Sequence, residues 1–335
     1  MKKKSSAKLT GEVVLQYLER FPDAAARSLA KKIYAENSEL FHNTEHVRGI
    51  IRDYIGQNGN KNRDKVTNTK FYRPAGKPNV FSVPESECDI WKPVHISETH
   101  GLLFSDTHAP YHDKIAVEAM INHAVNRKLN FILINGDGLD YYQLSKFKRD
   151  PRKRSLNDEL WLWVGFLELL QKTFPGTKIY WKLGNHEERL EAYLRVKAPE
   201  LLDMEEFKLG NIIKMRGINN VTIVEKQIIY AGRLPIIHGH EFQSRVITAV
   251  NAARGLFLKA LSSALVSHYH RSSSHSEKDI NEKLMGTWSI GCLCGLHPEW
   301  ALLNNWNHGF AYLDIDGREF NVENLRIHKG KVYRD

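Results

Sequence analysis

The sequence predicts an α/β fold preceded by a small N-terminal helical domain, and three features of the residue pattern support this prediction. In the middle of the chain, short β-branched and aromatic runs such as GLLFSD, FILING and IYWKLGN alternate with segments of helical periodicity. That alternation is typical of βαβ units with a largely parallel sheet. The C-terminal part consists of short extended segments, with Asp316-Gly317 as a hairpin signal. Residues 11–56 instead carry apolar residues at helical spacing.

The N-terminal segment predicts three short helices. Their apolar stripes are Val14, Leu15 and Leu18, then Ala26, Leu29, Ala30 and Ile33, then Val47, Ile50, Ile51 and Tyr54. Asp23 and Asn43 lie where N-caps belong, and Gly56 lies where the third helix should end. Three helices of this size resemble a helix-turn-helix module, whose last helix would present Arg48 and Arg52 to DNA. A helical cap or a contact between protomers explains the pattern equally well, because arginines four residues apart usually mark a solvated helix face.

Composition divides the chain further and excludes several classes of protein. Residues 59–98 are rich in Asn, Gly, Lys, Arg and Pro with little periodicity, so we predict a basic linker between the helical module, 1–58, and the α/β domain, 99–335. No apolar run approaches the roughly 18 residues of a membrane span, and no signal peptide is apparent, so we expect the protein in the cytoplasm. Three cysteines make a disulfide framework an unfavourable interpretation. The net charge of +9 favours a polyanionic partner, with nucleic acid as the first candidate.

Five short polar motifs each follow a predicted strand. They are SDTH with Asp106 and His108, GDGLD with Asp137 and Asp140, GNHE with Asn185 and His186, IIHGH with His238, and VSHYH with His268 and His270. Because loops at the carboxyl ends of strands converge on one edge of a sheet, we expect these side chains to form one site. Imidazoles, carboxylates and an amide oxygen suit hard or borderline divalent ions, whereas clustered cysteines, typical of thiolate zinc sites, are absent. The sequence therefore predicts a centre that binds two divalent metal ions.

The order of the motifs closely resembles that of the calcineurin-like metallophosphoesterases over about residues 99–330. The resemblance implies a metallophosphoesterase fold, a two-sheet α/β sandwich, and the added N-terminal module is similar to the layout of phage and mobile-element proteins. It also implies a ligand set, with Asp106, His108 and His270 on the first metal, Asn185, His238 and His268 on the second, and Asp137 bridging the two. Manganese is the preferred metal, and iron, zinc and magnesium are also compatible with these ligands.

The same resemblance implies a mechanism. Two divalent ions held by these residues would activate a bridging water, and the metal-bridged hydroxide would serve as the nucleophile towards the phosphorus. His186 would face the substrate and protonate the leaving group, and Asp140 would orient His186 and keep it charged. A turn cap is the alternative interpretation of Asp140.

Departures from the family pattern bear on the substrate. The Ser/Thr protein phosphatases carry an arginine after the second aspartate of G-D-x-x-D, where this chain has Tyr141 and Tyr142. A basic segment follows instead, KFKRDPRKR, and we predict that it contacts a phosphate backbone while the tyrosines stack on bases. Its candidate substrate-binding residues are Lys148, Arg149, Arg152, Lys153 and Arg154. A solvated loop is the alternative for this segment.

These observations leave three functional hypotheses. The first is a phosphodiesterase acting on nucleic acid, preferably a DNA nuclease whose N-terminal module adds affinity for the duplex. The second is a phosphatase or cyclic-nucleotide phosphodiesterase acting on small phosphoesters, with the N-terminal module serving assembly. The third is a DNA-binding protein with a relic catalytic domain, and the intact ligand set argues against it.

Overall fold

The computed structural model of the chain describes residues 6–56, 88, 91–147, 150, 152, 155–242 and 251–334. The chain divides into two compact units, Met1–Asp89 and Ile90–Asp335. Most of the predicted linker, 59–98, lies outside the described residues. Among the helices that are described, none is long and apolar enough to cross a membrane.

The described part of the N-terminal unit forms the three helices that the apolar stripes predict. They are α1 (Ser6–Arg20), α2 (Ala26–Glu36) and α3 (Thr44–Ile55), packed around a small apolar core that includes Val14, Leu29 and Ile51. Asn43 caps α3 as predicted, because its side chain accepts a hydrogen bond of 2.9 Å from the backbone N–H of His46. The predicted cap at Asp23 is wrong. Ala25 is the N-cap of α2, and Asp23 is buried two residues earlier.

In the part of the second unit that the structure describes, there are five α-helices and two sheets. The helices are α4 (Lys114–Ala124), α5 (Leu156–Thr173), α6 (Glu188–Lys197), α7 (Leu209–Lys214) and α8 (Ala252–Ala260). The strands are β1 (Val94–Ile96), β2 (His100–Phe104), β3 (Phe131–Asn135), β4 (Lys178–Lys182), β5 (Val221–Val224), β6 (Ile229–Ala231), β7 (Leu234–Ile236), β8 (Ala264–Val266), β9 (Ser273–Lys278), β10 (Leu284–Ser289), β11 (His308–Asp316), β12 (Glu319–His328) and β13 (Lys331–Arg334).

The two sheets pack face to face, so the unit is the two-sheet α/β sandwich that the sequence predicts. One sheet has the order β13-β12-β11-β2-β3-β4-β5, and the other has the order β1-β6-β7-β8-β10-β9. Leu103 and Leu133 of the first sheet share an apolar cluster with Ile236 and Leu265 of the second. Helices α4 and α5 cover the outer face of the seven-stranded sheet through residues such as Trp163.

Two details differ from the sequence-based expectation. Only β2 to β5 of the larger sheet run parallel, whereas β11, β12 and β13 add to it as an antiparallel meander. The hairpin at Asp316-Gly317 joins two of these strands as predicted. Residues 94–96, which the sequence places in the linker, form a strand that pairs with β6, and Ile96 is buried in the core between the sheets. A three-residue strand is too short for periodicity to reveal it.

This architecture brings the five polar motifs to one place. Strands β2, β3 and β4 are neighbours in one sheet, and β7 and β8 are neighbours in the other. Each motif begins at or just after the carboxyl end of its strand. The seven-stranded sheet therefore contributes three loops, and the six-stranded sheet two loops, to a single edge of the sandwich.

The cap of α3 gives a direct test of the N-terminal unit. Replacing Asn43 with Ala should lower the free energy of opening of α3 by about 0.5–2 kcal/mol, because one backbone N–H loses its acceptor. Hydrogen exchange of the α3 amides in the full-length protein measures this loss. Asn43→Asp is the matched control, because it keeps an acceptor oxygen and should stay close to the unchanged protein. Equal losses in both variants would show that the cap does not stabilise this helix.

Candidate metal centre

Five of the predicted ligands share an unusual backbone conformation. Asp106, His108, Asp137, His268 and His270 have φ angles of 51°, 44°, 51°, 63° and 55°. For residues with a Cβ, this left-handed region costs roughly 1–3 kcal/mol each, and such residues concentrate at functional sites. The turn after each of these strands therefore directs a polar side chain to the shared edge at the expense of local stability.

The three residues predicted for the first metal lie together. The Oδ1 atom of Asp106 is 3.1 Å from Nε2 of His270, and Nε2 of His108 is 3.2 Å from the same imidazole nitrogen. His108 Nε2 also lies 3.9 Å from Asp106 Oδ1. All three side chains are buried, so their polar atoms face one another at the edge of the sandwich.

The residues predicted for the second metal form a neighbouring group. Nε2 of His238 is 3.2 Å from Oδ2 of Asp137, and His268 offers a ring nitrogen within 4.8 Å of both of their ligand atoms. Nδ1 of His238 is 2.7 Å from the backbone oxygen of Asn135, which leaves Nε2 to face the site. The Oδ1 atom of Asn185 is buried, and among the described residues it has no hydrogen-bond partner.

Asp137 stands between the two groups. Its Oδ2 atom, which faces His238, is also 3.9 Å from Nε2 of His108. Its Oδ1 atom accepts a hydrogen bond of 2.9 Å from the backbone N–H of His186. The Oδ2 atom therefore lies near one histidine from each of the two groups.

Two glycines permit this close packing. Gly136 has a φ of 90°, and a Cβ on it would lie 2.2 Å from Nδ1 of His238. A Cβ on Gly184 would lie 2.3 Å from Oδ1 of Asp137. Any larger residue would therefore displace a candidate ligand.

Glu187 is the last residue of the GNHE motif, and its position in the motif did not predict a role for it. Its buried carboxylate accepts hydrogen bonds from the backbone N–H groups of Asp137 at 2.9 Å, Leu139 at 2.9 Å and Gly184 at 2.7 Å. Burial and the nearby Asp137 carboxylate raise the pKa of Glu187 to about 7. The side chain fastens the GDGLD loop to the GNHE turn, and thus fixes Asp137 relative to Asn185. Its place in a recognised motif was the only sequence signal for this role.

His186 and Asp140 are in contact, as predicted for an acid and the group that orients it. Nδ1 of His186 is 2.9 Å from the backbone oxygen of Asp140 and 3.1 Å from its Oδ1 atom. The same Oδ1 atom lies 3.3 Å from Nδ1 of His108, so Asp140 orients a candidate ligand as well. A contact that the sequence did not predict comes from Arg189. Its NH1 group donates a hydrogen bond of 2.8 Å to the Asp140 backbone oxygen, and its NH2 group lies 2.9 Å from Nε2 of His186.

The site combines ionised carboxylates with imidazoles whose pKa values diverge. Burial disfavours the charged form of His238, but the Asp137 carboxylate outweighs it and raises the pKa of His238 to about 10. Burial likewise opposes the charge of His270, and Asp106 overcomes it to raise that pKa to about 10. Burial and the charge of His238 lower the pKa of His268 to about 4. The carboxylates thus attract positive charge strongly, and a divalent cation can take the place of those protons.

A second layer supports His270. The thiol of Cys294 lies 3.9 Å from its Nδ1 atom, and the ring of Trp306 packs edge-on against it with 4.1 Å between centroids. Cys294 therefore belongs to the surroundings of the centre, a position that the cysteine count in the sequence did not predict. Contacts of this kind orient a metal ligand from the side opposite the metal.

The structure describes three of the residues predicted to bind nucleic acid, and each of them lies near a carboxylate of the same chain. Arg152 forms an exposed ion pair with Asp150, and its NH2 lies 2.8 Å from Oδ2 of that residue. Arg48 and Arg52 both approach the carboxylate of Glu45 on α3. The other predicted contacts lie outside the described residues, namely Lys148, Arg149, Lys153 and Arg154.

The suggested stacking role of Tyr141 is wrong. Its side chain is fully buried and packs in the core beneath α5. A buried carboxylate, Glu159, accepts a hydrogen bond from its backbone N–H and helps to hold Tyr141 in a left-handed conformation. Tyr142 is partly exposed, but its hydroxyl accepts a hydrogen bond of 2.9 Å from the backbone N–H of Asp150.

The donor set fits divalent metal ions. Aspartate oxygens, neutral imidazoles and one amide oxygen are the ligands that such ions take, and the buried Asn185 oxygen lacks a hydrogen-bond donor among the described residues. Three-residue groups with mutually close ligand atoms include Asp137 with His238 and His268, and Asp137 with His108 and His186. The second group shows that His186 lies close enough to compete for a ligand role.

Comparison with known proteins identifies the family of the chain. A sequence model of the calcineurin-like phosphoesterases matches residues 99–288. The chain is 25% identical over 246 residues to the Gene 54 protein of Mycobacterium phage L5, covering 70% of this chain and 96% of that protein. The Gene 54 protein of Mycobacterium phage D29 is 23% identical over the same coverage.

Among solved structures, the chain is similar to vacuolar protein sorting 29 from Cryptosporidium parvum. That match has 16% identity and a TM-score of 0.38, and it covers 71% of this chain and 96% of the other. The zinc complex of the Entamoeba histolytica protein Vps29 matches with 13% identity and a TM-score of 0.35, covering 70% and 97% of the two chains. With more than half of the chain matched by the family pattern, the protein belongs to the calcineurin-like phosphoesterases, a family of metal-dependent hydrolases of phosphoesters.

Proposed function

We propose that the protein is a dinuclear metal-dependent phosphodiesterase that cleaves DNA. The observation that carries the dinuclear part is the position of Asp137, whose Oδ2 atom lies 3.2 Å from His238 and 3.9 Å from His108, one from each candidate group. Bound there, two divalent cations would supply Lewis-acid activation of the phosphate and of water. Asp106, His108 and His270 would bind one cation, and Asn185, His238 and His268 the other.

In this proposal, His186 provides the proton that the departing oxygen needs. Its Nδ1 atom points to Asp140, so Nε2 is the atom available for transfer. Arg189 NH2 lies 2.9 Å from that nitrogen. The guanidinium must therefore turn from the ring to the substrate when the acid acts, and a phosphate is the stronger acceptor for it.

A nucleic-acid substrate is supported by the charge of the chain. The chain carries a formal net charge of +9, which favours contact with a polyanion. The basic segment between residues 146 and 154 follows the motif that contains Asp137 in the sequence, and this order favours a contact between the segment and a substrate at the centre. The phage relatives favour a role in the cytoplasm of a bacterial host.

One observation favours the alternative, a phosphatase or cyclic-nucleotide phosphodiesterase acting on small phosphoesters. Arg189 brings a guanidinium beside His186 from α6, although the G-D-x-x-D motif lacks the arginine of the Ser/Thr phosphatases. A guanidinium there pairs more strongly with the dianion of a phosphomonoester than with a diester, which carries one negative charge less. Substrate preference separates the two functions.

The bridging position predicts the metal content of a variant. Replacing Asp137 with Asn should remove at least one of two bound manganese ions, because the amide no longer offsets the charge of both. Elemental analysis after equilibration with manganese measures this. Asp314→Asn is the control, because Asp314 is an exposed aspartate whose described ion pair is with His100. Two full equivalents of metal and full activity in the Asp137 variant would refute the bridging assignment.

The acid role predicts a dependence on the leaving group. His186→Ala should lose roughly 10²- to 10⁴-fold activity on DNA, whose alkoxide needs a proton, and much less on bis-nitrophenyl phosphate. Initial rates on both substrates and metal content are the measurements, with the exposed His100→Ala as control. A variant that lost metal, or that slowed both substrates equally, would make His186 a ligand or a substrate contact instead.

The nucleic-acid substrate predicts a salt dependence. Affinity for single-stranded and duplex DNA should fall steeply with salt. The combined change Arg152→Ala, Lys153→Ala and Arg154→Ala should weaken binding. It should also reduce the slope of log affinity against log salt concentration by roughly one for each phosphate that the segment no longer neutralises. The matched control removes three exposed, ion-paired cations elsewhere, Arg195, Lys208 and Arg233. Affinity indifferent to salt, or equal effects of both triple variants, would argue against DNA contact by this segment.

A further inference from the structure

A cavity of about 710 Å³ opens beside the candidate metal centre. It lies between the segment 144–147, which follows the GDGLD motif, and one face of α6, which follows the GNHE motif. Asn185, a candidate metal ligand, lines its inner end together with Arg189. The volume falls in the range of about 300–1,000 Å³ that is typical of small-molecule sites.

The walls of this cavity are aromatic and aliphatic although they face solvent. Phe147 is 70% exposed, Tyr193 is 40% exposed and Val196 is 74% exposed, and all three line the cavity. Large apolar side chains left in the open around a concave surface mark a binding site more often than a structural need. Flat rings on either side of a cleft suit a flat, unsaturated ligand.

The charge of the lining selects the ligand further. Lys146, Arg189 and Lys197 provide three cationic side chains, against one carboxylate from Glu188, which lies 3.3 Å from Nε2 of His240. A ligand with a planar apolar part and a negative part therefore fits best. Arg189 also contacts the Asp140 backbone oxygen and His186, so the negative part would lie next to the metal centre.

We propose that this cavity binds the nucleobase adjoining the scissile phosphate, with Phe147 and Tyr193 as its stacking surfaces. The inference rests on the proposed nuclease function and narrows its substrate to strands with unpaired bases. A base that enters the cavity cannot remain stacked in a duplex, so single-stranded DNA is the substrate of choice. The stacking surface thus lies on α6 and in the segment before it, in place of the buried Tyr141.

The test removes the base and the aromatic ring separately and together. The substrate is a labelled single strand whose linkages are all phosphorothioate except one phosphodiester, so cleavage occurs at one known bond. In matched strands, the base on either side of that bond, or a distant base, is replaced by an abasic residue. The full-length protein with manganese is compared with its Tyr193→Leu and Tyr193→Phe variants. Tyr333→Leu is the control, a similarly exposed tyrosine on β13.

Removal of one flanking base should slow the unchanged protein by roughly tenfold, whereas removal of the distant base should have little effect. Tyr193→Leu should reduce the difference between the intact and abasic strands to about threefold, because Phe147 remains as one stacking surface, whereas Tyr193→Phe and Tyr333→Leu should keep the full difference. Metal content equal to that of the unchanged protein shows that Tyr193→Leu has an intact centre.

Two failures would have different meanings. If the unchanged protein cleaves DNA but ignores both flanking bases, or if Tyr193→Leu keeps the full difference between intact and abasic strands, the base subsite is refuted and the nuclease function survives. If it cleaves no strand but hydrolyses bis-nitrophenyl phosphate, the nuclease function fails and the base subsite fails with it.

Discussion

The contact between Asp137 and His238 joins the two sheets at the edge of the sandwich that carries the candidate metal centre. Asp137 follows β3 of one sheet and His238 follows β7 of the other, and their side-chain atoms approach to 3.2 Å. The loops can approach this closely only because Gly136, beside His238 of the opposing sheet, and Gly184, beside Asp137 in the same sheet, have no Cβ. Glu187 then fixes the backbone of Asp137 with a hydrogen bond of 2.9 Å, and burial of this carboxylate is stabilised by three backbone donors. The remaining candidate ligands are arranged around this junction.

The packing of the sandwich explains how strained turns persist there. Five candidate ligands have left-handed backbone conformations that a free loop would not keep. Each follows a short strand whose residues are largely buried between the sheets or under the helices. The free-energy cost of the strained turns is therefore offset by the burial of apolar residues in the strands. The buried strands also hold the polar residues at the edge in a fixed geometry. A preformed set of ligands of this kind favours metal binding, because little has to be reorganised when a cation enters.

Much of this arrangement could be predicted from the sequence, because its signals are local. The strand before each motif is an apolar run, and a run of that kind with a following polar motif predicts both the strand and the site edge. The resemblance of the motif order to a known family supplied the two-sheet sandwich. Strand β1 and the antiparallel addition of β11 to β2 depend on long-range pairing, which periodicity does not encode. Arg189, Cys294 and the buried state of Tyr141 were missed for the same reason, since their roles arise from contacts between distant segments.

The central claim is that Asp137 joins two metal sites into one centre. Electron paramagnetic resonance of the full-length protein during titration with manganese tests it most directly. Two equivalents of manganese should bind, and the spectrum should become that of an exchange-coupled pair, because a shared carboxylate brings the two ions within coupling distance. Binding that stops at one equivalent, or a spectrum that remains the sum of isolated ions at two equivalents, would contradict it.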